Sequence, residues 1–297
     1  MLDIRAKTFL MVCEEQSFTK AARRLFISQP AVSKQIQSLE KEWNVTLFSH
    51  QNRKWHLTPE GERLHAFLQH LSALEKQFRD QMHDATEQVR RIHFGATRTI
   101  GEFTLAPVLA PLMRYFKDKT FQMHVENTRS ILSMLDEGSL LFALVEGLFD
   151  QEKYQTMLYK RVPFVAVASA KHPLAKRKKI VLKDLMAEEI IVREMGSGSR
   201  LILERSLHDC NFGLDSFAKV SEMGNVNIIK RLVAEGMGIS FMYQDAALAE
   251  LHDQVLVKLD MEDYHVDRDF NLVFLKENDD LSDIVAIFDK IKEYTVL

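Results

Sequence analysis

Residues 28–43 sort their side chains onto two opposite faces of a single helix, and no other stretch limits the fold of this chain so sharply. Val32, Ile36, Leu39 and Trp43 recur at steps of 4, 3 and 4, which makes one apolar stripe to be buried. Gln29, Ser33 and Gln37 recur at four-residue steps on the other face, with Lys34 beside them. Amides and hydroxyls in such a row can address base edges, and the ammonium can meet phosphate. Ser28 caps the start, and Pro30 sits in the first turn, where a missing N–H is harmless. Residues 18–26, capped by Ser17, form a second helix with Phe18, Ala21, Ala22 and Leu25 inward; residues 4–14 form a first with Phe9, Leu10, Val12 and Cys13 inward. Almost nothing joins the second and third, and Ala21 and Ala22 allow their close approach, so the spacing predicts a helix-turn-helix. Two short strands follow, starting at Leu47-Phe48 and ending at Leu57-Thr58, around a polar tip with Arg53 and Lys54. This reads as a wing placed to meet phosphate or the minor groove. The alternative is a three-helix core with a plain polar outer face.

The whole-chain charge of −3, from 39 basic and 42 acidic residues, argues against a nucleic-acid partner, but it is an average. Residues 18–58 carry seven basic residues against two acidic ones, a net of +5, whereas residues 91–297 carry 26 against 31, a net of −5. A basic head on an acidic body suggests a polyanion-binding module joined to a domain with another task.

Ser17-Phe18-Thr19-Lys20-Ala21-Ala22 with Leu25, then Ser28-Gln29-Pro30-Ala31-Val32-Ser33-Lys34-Gln35-Ile36, Leu39-Glu40, Leu47-Phe48 and Leu57-Thr58-Pro59-Glu60-Gly61 resemble the N-terminal signature of the LysR-type transcriptional regulators. The resemblance implies a winged helix-turn-helix over residues 1–58, with Thr19, Ser28, Gln29, Pro30, Ala31, Ser33, Lys34, Gln37, Arg53 and Lys54 at the DNA. His50 departs from it, since an arginine usually stands there, which questions a phosphate contact at the wing base.

Thr58 as cap, Pro59 in the first turn, and Glu60 and Glu62 at the positive end predict a linker helix over residues 59–90 in spite of Gly61. Leu64, Leu68, Leu71, Phe78, Met82, Ala85 and Val89 follow steps near 3 and 4, with Leu74 one position off, and read as a two-stranded dimer seam. The alternative is a stripe packed on the protein's own body. Two-fold pairing would set two recognition helices about 34 Å apart on a near-palindromic duplex.

Beyond residue 91, apolar runs at 92–95, 121–125, 140–145, 164–168, 190–192, 239–242 and 272–275 alternate with helical patterns at 105–116, 131–137, 201–208, 226–235 and 284–294. The expectation is an α/β, doubly wound parallel sheet, of a size that suits two lobes. Ligands in such folds sit beyond strand carboxyl ends. The runs lead there into Thr97-Arg98-Thr99-Ile100-Gly101, Glu146-Gly147 and Gly196-Ser197-Gly198-Ser199-Arg200, and the last is either an anion cradle at a helix start or a plain loop. His172-Pro173-Leu174 and Gly236-Met237-Gly238-Ile239-Ser240 extend the resemblance across nearly the whole chain. It implies an effector domain over residues 91–297, similar to periplasmic binding proteins, with lobe 1 at 91–161 plus 267–297 and lobe 2 at 162–266. Its cleft would be lined by Thr97, Arg98, Thr99, Ile100, Glu146, Gly147, Ser197, Gly198, Ser199, Gly224 and Asn225. Leu141 departs where an aspartate is common, which questions a hydrogen bond at a strand start. Arg98 and the amides before Arg200 favour an anionic effector, and Glu146 asks it for a donor as well.

Catalysis has no support. There is no G-x-x-x-x-G-K-[ST], no H-E-x-x-H among 11 histidines, and no G-x-S-x-G; Ser199 and His208 would lie too far apart along one helix to share a proton. Cys13 and Cys210 form neither a disulfide framework nor a metal motif. The acidic start (Asp3, Glu14, Glu15) and the shortness of every apolar run predict a cytoplasmic protein without signal peptide or membrane span. The expectation is therefore a regulator without a cofactor, a homodimer or homotetramer on double-stranded DNA, tuned by a small-molecule effector, with RNA polymerase admitted as a further partner. A solute-binding or scaffold protein is the competing reading.

Overall fold

The structure, a computed structural model, describes residues 2–51, 54–84, 90–147, 149–276 and 280–295. They fall into two compact units, Met1–Gln88 with Asp136–Ser139, and Val89–Leu135 with Leu140–Leu297.

In the first unit α1 (Ile4–Glu15), α2 (Phe18–Arg24) and α3 (Gln29–Trp43) precede β1 (Phe48–Gln51), β2 (Lys54–Leu57) and the long α4 (Pro59–Asp84). Each of the first three helices starts on a side chain that satisfies a free amide: Asp3 accepts from Ala6 at 2.9 Å, Ser17 from Lys20 at 3.3 Å and Ser28 from Ala31 at 3.3 Å. Phe9, Val12, Phe18, Ala21, Ala22, Val32, Ile36, Leu39 and Leu47 make the core. Trp43, expected in the stripe, is 54% exposed instead, because α3 ends there and Asn44 turns the chain at φ 52. β1 and β2 pair antiparallel with Phe48 opposite Leu57, which is the expected wing. Arg53 and the side chain of Lys54 lie outside the described residues.

α2 closes earlier than expected. Ile27 N–H donates to the Ala22 carbonyl at 3.1 Å and Phe26 N–H to that of Arg23 at 3.2 Å, with Phe26 at φ 56. Glycine usually takes this position, and another residue there costs roughly 1–2 kcal/mol.

At the head of α4, Thr58 Oγ1 accepts from Gly61 N–H at 3.0 Å and donates to the Thr46 carbonyl at 2.6 Å. Gly61 is forced by this packing, since a Cβ would stand 2.2 Å from the Leu47 carbonyl oxygen. The stripe along α4 then divides, which corrects its reading as one continuous dimer seam. Leu64 and Leu68 are buried in the unit's own core, with Leu71 packed against it, whereas Phe78 and Met82 stay exposed. Ala85 and Val89 lie outside the described residues.

The second unit contains β3 (Arg90–Thr97), α5 (Ala106–Tyr115), β4 (Lys119–Glu126), α6 (Thr128–Asp136), β5 (Phe142–Val145), β6 (Tyr154–Ser169), β7 (Glu189–Val192), α7 (Gly198–Asp209), β8 (Lys219–Glu222), α8 (Val226–Ala234), β9 (Ser240–Tyr243), α9 (Gln244–His252), β10 (Leu256–Lys258), β11 (Val266–Leu275) and α10 (Leu281–Thr295). The main sheet runs β10-β6-β11-β5-β3-β4, with β9 also on β6. β3 is parallel to β4 and β5, and β7 to β8. An all-parallel sheet is nevertheless corrected: β6 and β11 run antiparallel from Tyr154 opposite Leu275 to Phe164 opposite Val266. These two long strands cross from one lobe to the other. β5, β3 and β4 flank them on one side; β9 joins β7 on the other, where Ile191 N–H donates to Ile239 at 2.8 Å. Leu141 N–H donates to the His93 carbonyl at 2.7 Å, so the main chain holds the strand start that the absent aspartate put in question.

Candidate functional site

In the first unit the free face of α3 is as its sequence requires. Gln29, Pro30, Lys34 and Gln37 are exposed, Ala31 and Ser33 half-buried, and Thr19 and Ser28 exposed beside them. Gln29 Nε2 donates to Ser33 Oγ at 3.0 Å, so the two sit together as one polar element that a base edge could enter. His50 packs on Trp55, ring centroids 4.7 Å apart, and Trp55 on Phe18 at 4.9 Å, which fixes the base of the wing against α2.

In the second unit, strand ends from both lobes meet. Thr97, the last residue of β3, and Thr99 donate their hydroxyls to the Glu146 carboxylate just past β5, and Ile100 is buried with them. Thr128, opening α6, donates to the Glu146 carbonyl at 3.2 Å. From the other lobe Gly198 closes in: a Cβ on Gly147 would stand 3.6 Å from Gly198 Cα, and one on Gly198 would stand 3.1 Å from Thr128 Oγ1. Ser197 and Ser199 are buried with their hydroxyls 3.0 Å apart, and Ser197, although it precedes α7, does not cap it. Arg98 donates to Glu126 at 3.3 Å and reaches the Gly224 carbonyl at 3.5 Å. Asn225 is occupied as the cap of α8, accepting from Asn227 and Ile228 at 2.9 and 3.2 Å. Thr97, Thr99, Glu146, Gly147 and Gly198 thus cluster, Arg98 and Gly224 bridge the lobes, and Asn225 turns away to its helix.

Glu146 dominates the electrostatics. Only 4% exposed, its carboxyl is pushed up to about 7 by burial, against the downward pull of the Thr97 and Thr99 hydroxyls and the Arg193 charge. Arg193, also buried, pairs with Glu194 at 2.7 Å. The sequence did not mark Arg193, Thr128, Tyr243 or Arg268. Tyr243 ends β9 with its ring against Phe164 (5.1 Å) and Phe270 (5.0 Å), and an aromatic at a strand end reads as core. Its Oη is buried without a hydrogen-bond partner among the described residues, as is Arg268 Nε. Burial and the nearby Glu146 charge hold that phenol well above its ordinary range, against the pull of Arg268.

The cleft therefore offers hydroxyl and guanidinium donors and one carboxyl acceptor. Ser199 and His208 are no paired nucleophile and base, since they stand nine residues apart on α7, about 13 Å along its axis. Among the described residues no group of three or more His, Cys, Asp or Glu side chains could hold a metal, and no helix is long and apolar enough to cross a membrane.

Residues 5–62 match the bacterial regulatory helix-turn-helix proteins of the lysR family, and residues 85–294 match the LysR substrate binding domain. The chain is 29% identical over 268 residues to the HTH-type transcriptional regulator CysL of Bacillus subtilis, covering 90% of this chain and 89% of that one. It is 30% identical over 257 residues to an uncharacterized HTH-type transcriptional regulator of Methanocaldococcus jannaschii, covering 85% of each. Among solved structures, a full-length OxyR variant from Pseudomonas aeruginosa superposes with a TM-score of 0.62 at 21% identity, covering 98% of this chain and 95% of that one. The Synechocystis CcmR regulatory domain in complex with 2-PG superposes with 0.61 at 23%, covering 69% and 97%. With both family models matched along its length, the chain belongs to the LysR family of transcriptional regulators, which bind DNA and small effectors and are not enzymes.

Proposed function

We propose that the protein holds a near-palindromic duplex site as a homodimer or homotetramer and changes that hold when a small anionic ligand enters the cleft around Glu146. Residues 1–58 would read the DNA, the linker helix of 59–90 would join the protomers through its exposed Phe78 and Met82, and 91–297 would sense the ligand. Gln29, Ser33 and Gln37 would face base edges, Thr19, Ser28, Pro30, Ala31 and Lys34 the backbone, and the wing residues Arg53 and Lys54 the flanking phosphates. The cytoplasm is the proposed location, and RNA polymerase the partner through which DNA binding would alter transcription.

One observation carries the ligand reading. Thr97, Thr99, Glu146, Ser197 and Ser199 are all buried, yet Tyr243 Oη and Arg268 Nε, the first of them in the electrostatic reach of Glu146 and Arg268, find no hydrogen-bond partner among the described residues. Buried polar groups are nearly always satisfied, so two buried donors without a partner near Glu146 suit a bound polar molecule there. Arg98 and the uncapped start of α7 suit its anionic group, and Glu146 suits a hydroxyl or ammonium on it. The 2-PG in the CcmR complex supports the search for a small polar ligand.

A thermal-shift panel of carboxylates, oxyanions and neutral compounds tests this. A ligand at 100 times its Kd should stabilise the second unit by about 2.7 kcal/mol. Shifts from neutral compounds alone would sink the anion reading. On the DNA side, affinity for duplex should fall steeply with salt, and folded protein that binds no duplex would remove the regulator mechanism.

A further inference from the structure

Phe26 is 95% exposed, the most exposed large apolar side chain among the described residues. It also stands at φ 56, where glycine or asparagine would close α2 without strain. Folding loses twice here, since the backbone occupies a region that side chains avoid and a benzyl group stays in water. No compensating ring or cation contact to Phe26 exists among the described residues. A residue that the fold would do better without points to a task outside the fold.

The surroundings indicate which. Phe26 precedes the Ser28 cap by two residues and Gln29 by three, so chain geometry keeps its Cα within about 11 Å of that of Gln29. The major groove is about 12 Å wide. A helix seated there with Gln29 and Ser33 at the bases keeps Phe26 within about one groove width of them. Lys20 and Arg23 on α2, before Phe26, and Lys34 on α3, after it, are exposed, a setting that favours a polyanion over an apolar protein surface.

We propose that Phe26 is a DNA-contacting residue whose ring lies against the apolar edge of the duplex, a thymine methyl or a deoxyribose, beside the bases read by Gln29. This rests on the DNA-binding role of the first unit. Its test starts with duplexes selected by the full-length protein from a random-sequence pool. Binding of wild type, Phe26→Asn and Phe26→Tyr is then measured on the selected duplex and on a copy with deoxyuridine for thymine.

Phe26→Asn should unfold at the same or a higher temperature, because asparagine tolerates the left-handed turn, yet bind about five- to twentyfold more weakly. Its salt dependence should match wild type, since no phosphate contact is lost. Phe26→Tyr should bind like wild type. Deoxyuridine should weaken wild type but not Phe26→Asn where the ring meets a methyl, and affect neither where it meets a sugar. Equal binding by Phe26→Asn and wild type overturns the proposal, as does a loss accompanied by a changed oligomeric state, which would put the ring against protein. A wild type that selects no sequence sinks the DNA-reading role itself, and this contact with it.

Discussion

The two units use polar side chains in opposite ways. α3 holds Gln29, Lys34 and Gln37 in solvent above a small apolar core, whereas the cleft keeps Thr97, Thr99, Glu146, Ser197 and Ser199 away from water. A solvated amide loses little while it waits for a partner, so a DNA-reading face can change its residues with little consequence for folding. An unpaired buried hydroxyl or carboxyl costs about 1–3 kcal/mol, so in the cleft recognition and stability share the same atoms. Operator preference is then free to drift, while ligand preference is tied to the integrity of the domain.

The largest effect is expected where the contrast can be broken outright. Gly61→Val would drive a side chain into the Leu47 carbonyl, 2.2 Å from the Cβ position, at the junction of wing and α4. It should destabilise the first unit by more than about 4 kcal/mol and abolish DNA binding. The second unit, whose apolar clusters share no residue with the first unit's core, should keep its own calorimetric transition and its ligand shift. A single merged transition that falls as a whole would mean that the units fold as one body.

The same contrast explains what the sequence discloses. Caps are local: Ser17, Ser28 and Thr58 act on amides three residues on, and all three helix starts are legible from them. The stripe of Val32, Ile36 and Leu39 is local too, and fails only at Trp43, where the helix runs out. The cleft is not local. Tyr154–Lys160 buries only Tyr154 and Tyr159 and shows no regular alternation, so only the apolar second half of β6 stands out, and its antiparallel pairing with β11 joins residues over 100 positions apart. Without that pairing Tyr243 and Arg268 cannot be seen to share a neighbourhood with Glu146. Leu64 and Leu68 show the converse limit, because periodicity marks a face for burial but not whose surface buries it.

Glu146→Gln sharpens the contrast from the cleft side. The carboxyl titrates near 7 in the folded state against 4.5 when unfolded, so the native state keeps a proton that the unfolded chain releases. Its stability contribution is whole below about pH 4.5 and is lost as pH rises through about 7, roughly 3 kcal/mol in all. Wild type should therefore lose that much in denaturant titrations between pH 4 and 8, and Glu146→Gln should not. Parallel pH profiles would show that Glu146 is solvated and that the cleft is no drier than α3. On the other side, Gln29→Ala or Ser33→Ala should lower discrimination between selected and random duplex by about 1–3 kcal/mol, with unfolding midpoints unchanged. A drop in stability as large as the drop in discrimination would remove the distinction between the units.

The smallest effect tests the exposed face at its least specific point. Lys34 is exposed and pairs with no carboxylate among the described residues, so its ammonium is available to phosphate alone. Lys34→Ala should weaken selected and random duplexes by the same few-fold factor and reduce the slope of log K against log salt by about 1 per protomer. Sequence preference should not move, because a point charge on a phosphate carries no information about the base behind it. A changed preference with an unchanged slope would instead place Lys34 at a base edge. The reading row would then extend from Gln29, Ser33 and Gln37 to a fourth residue, and the positive charge of the head would belong to recognition as well as to attraction.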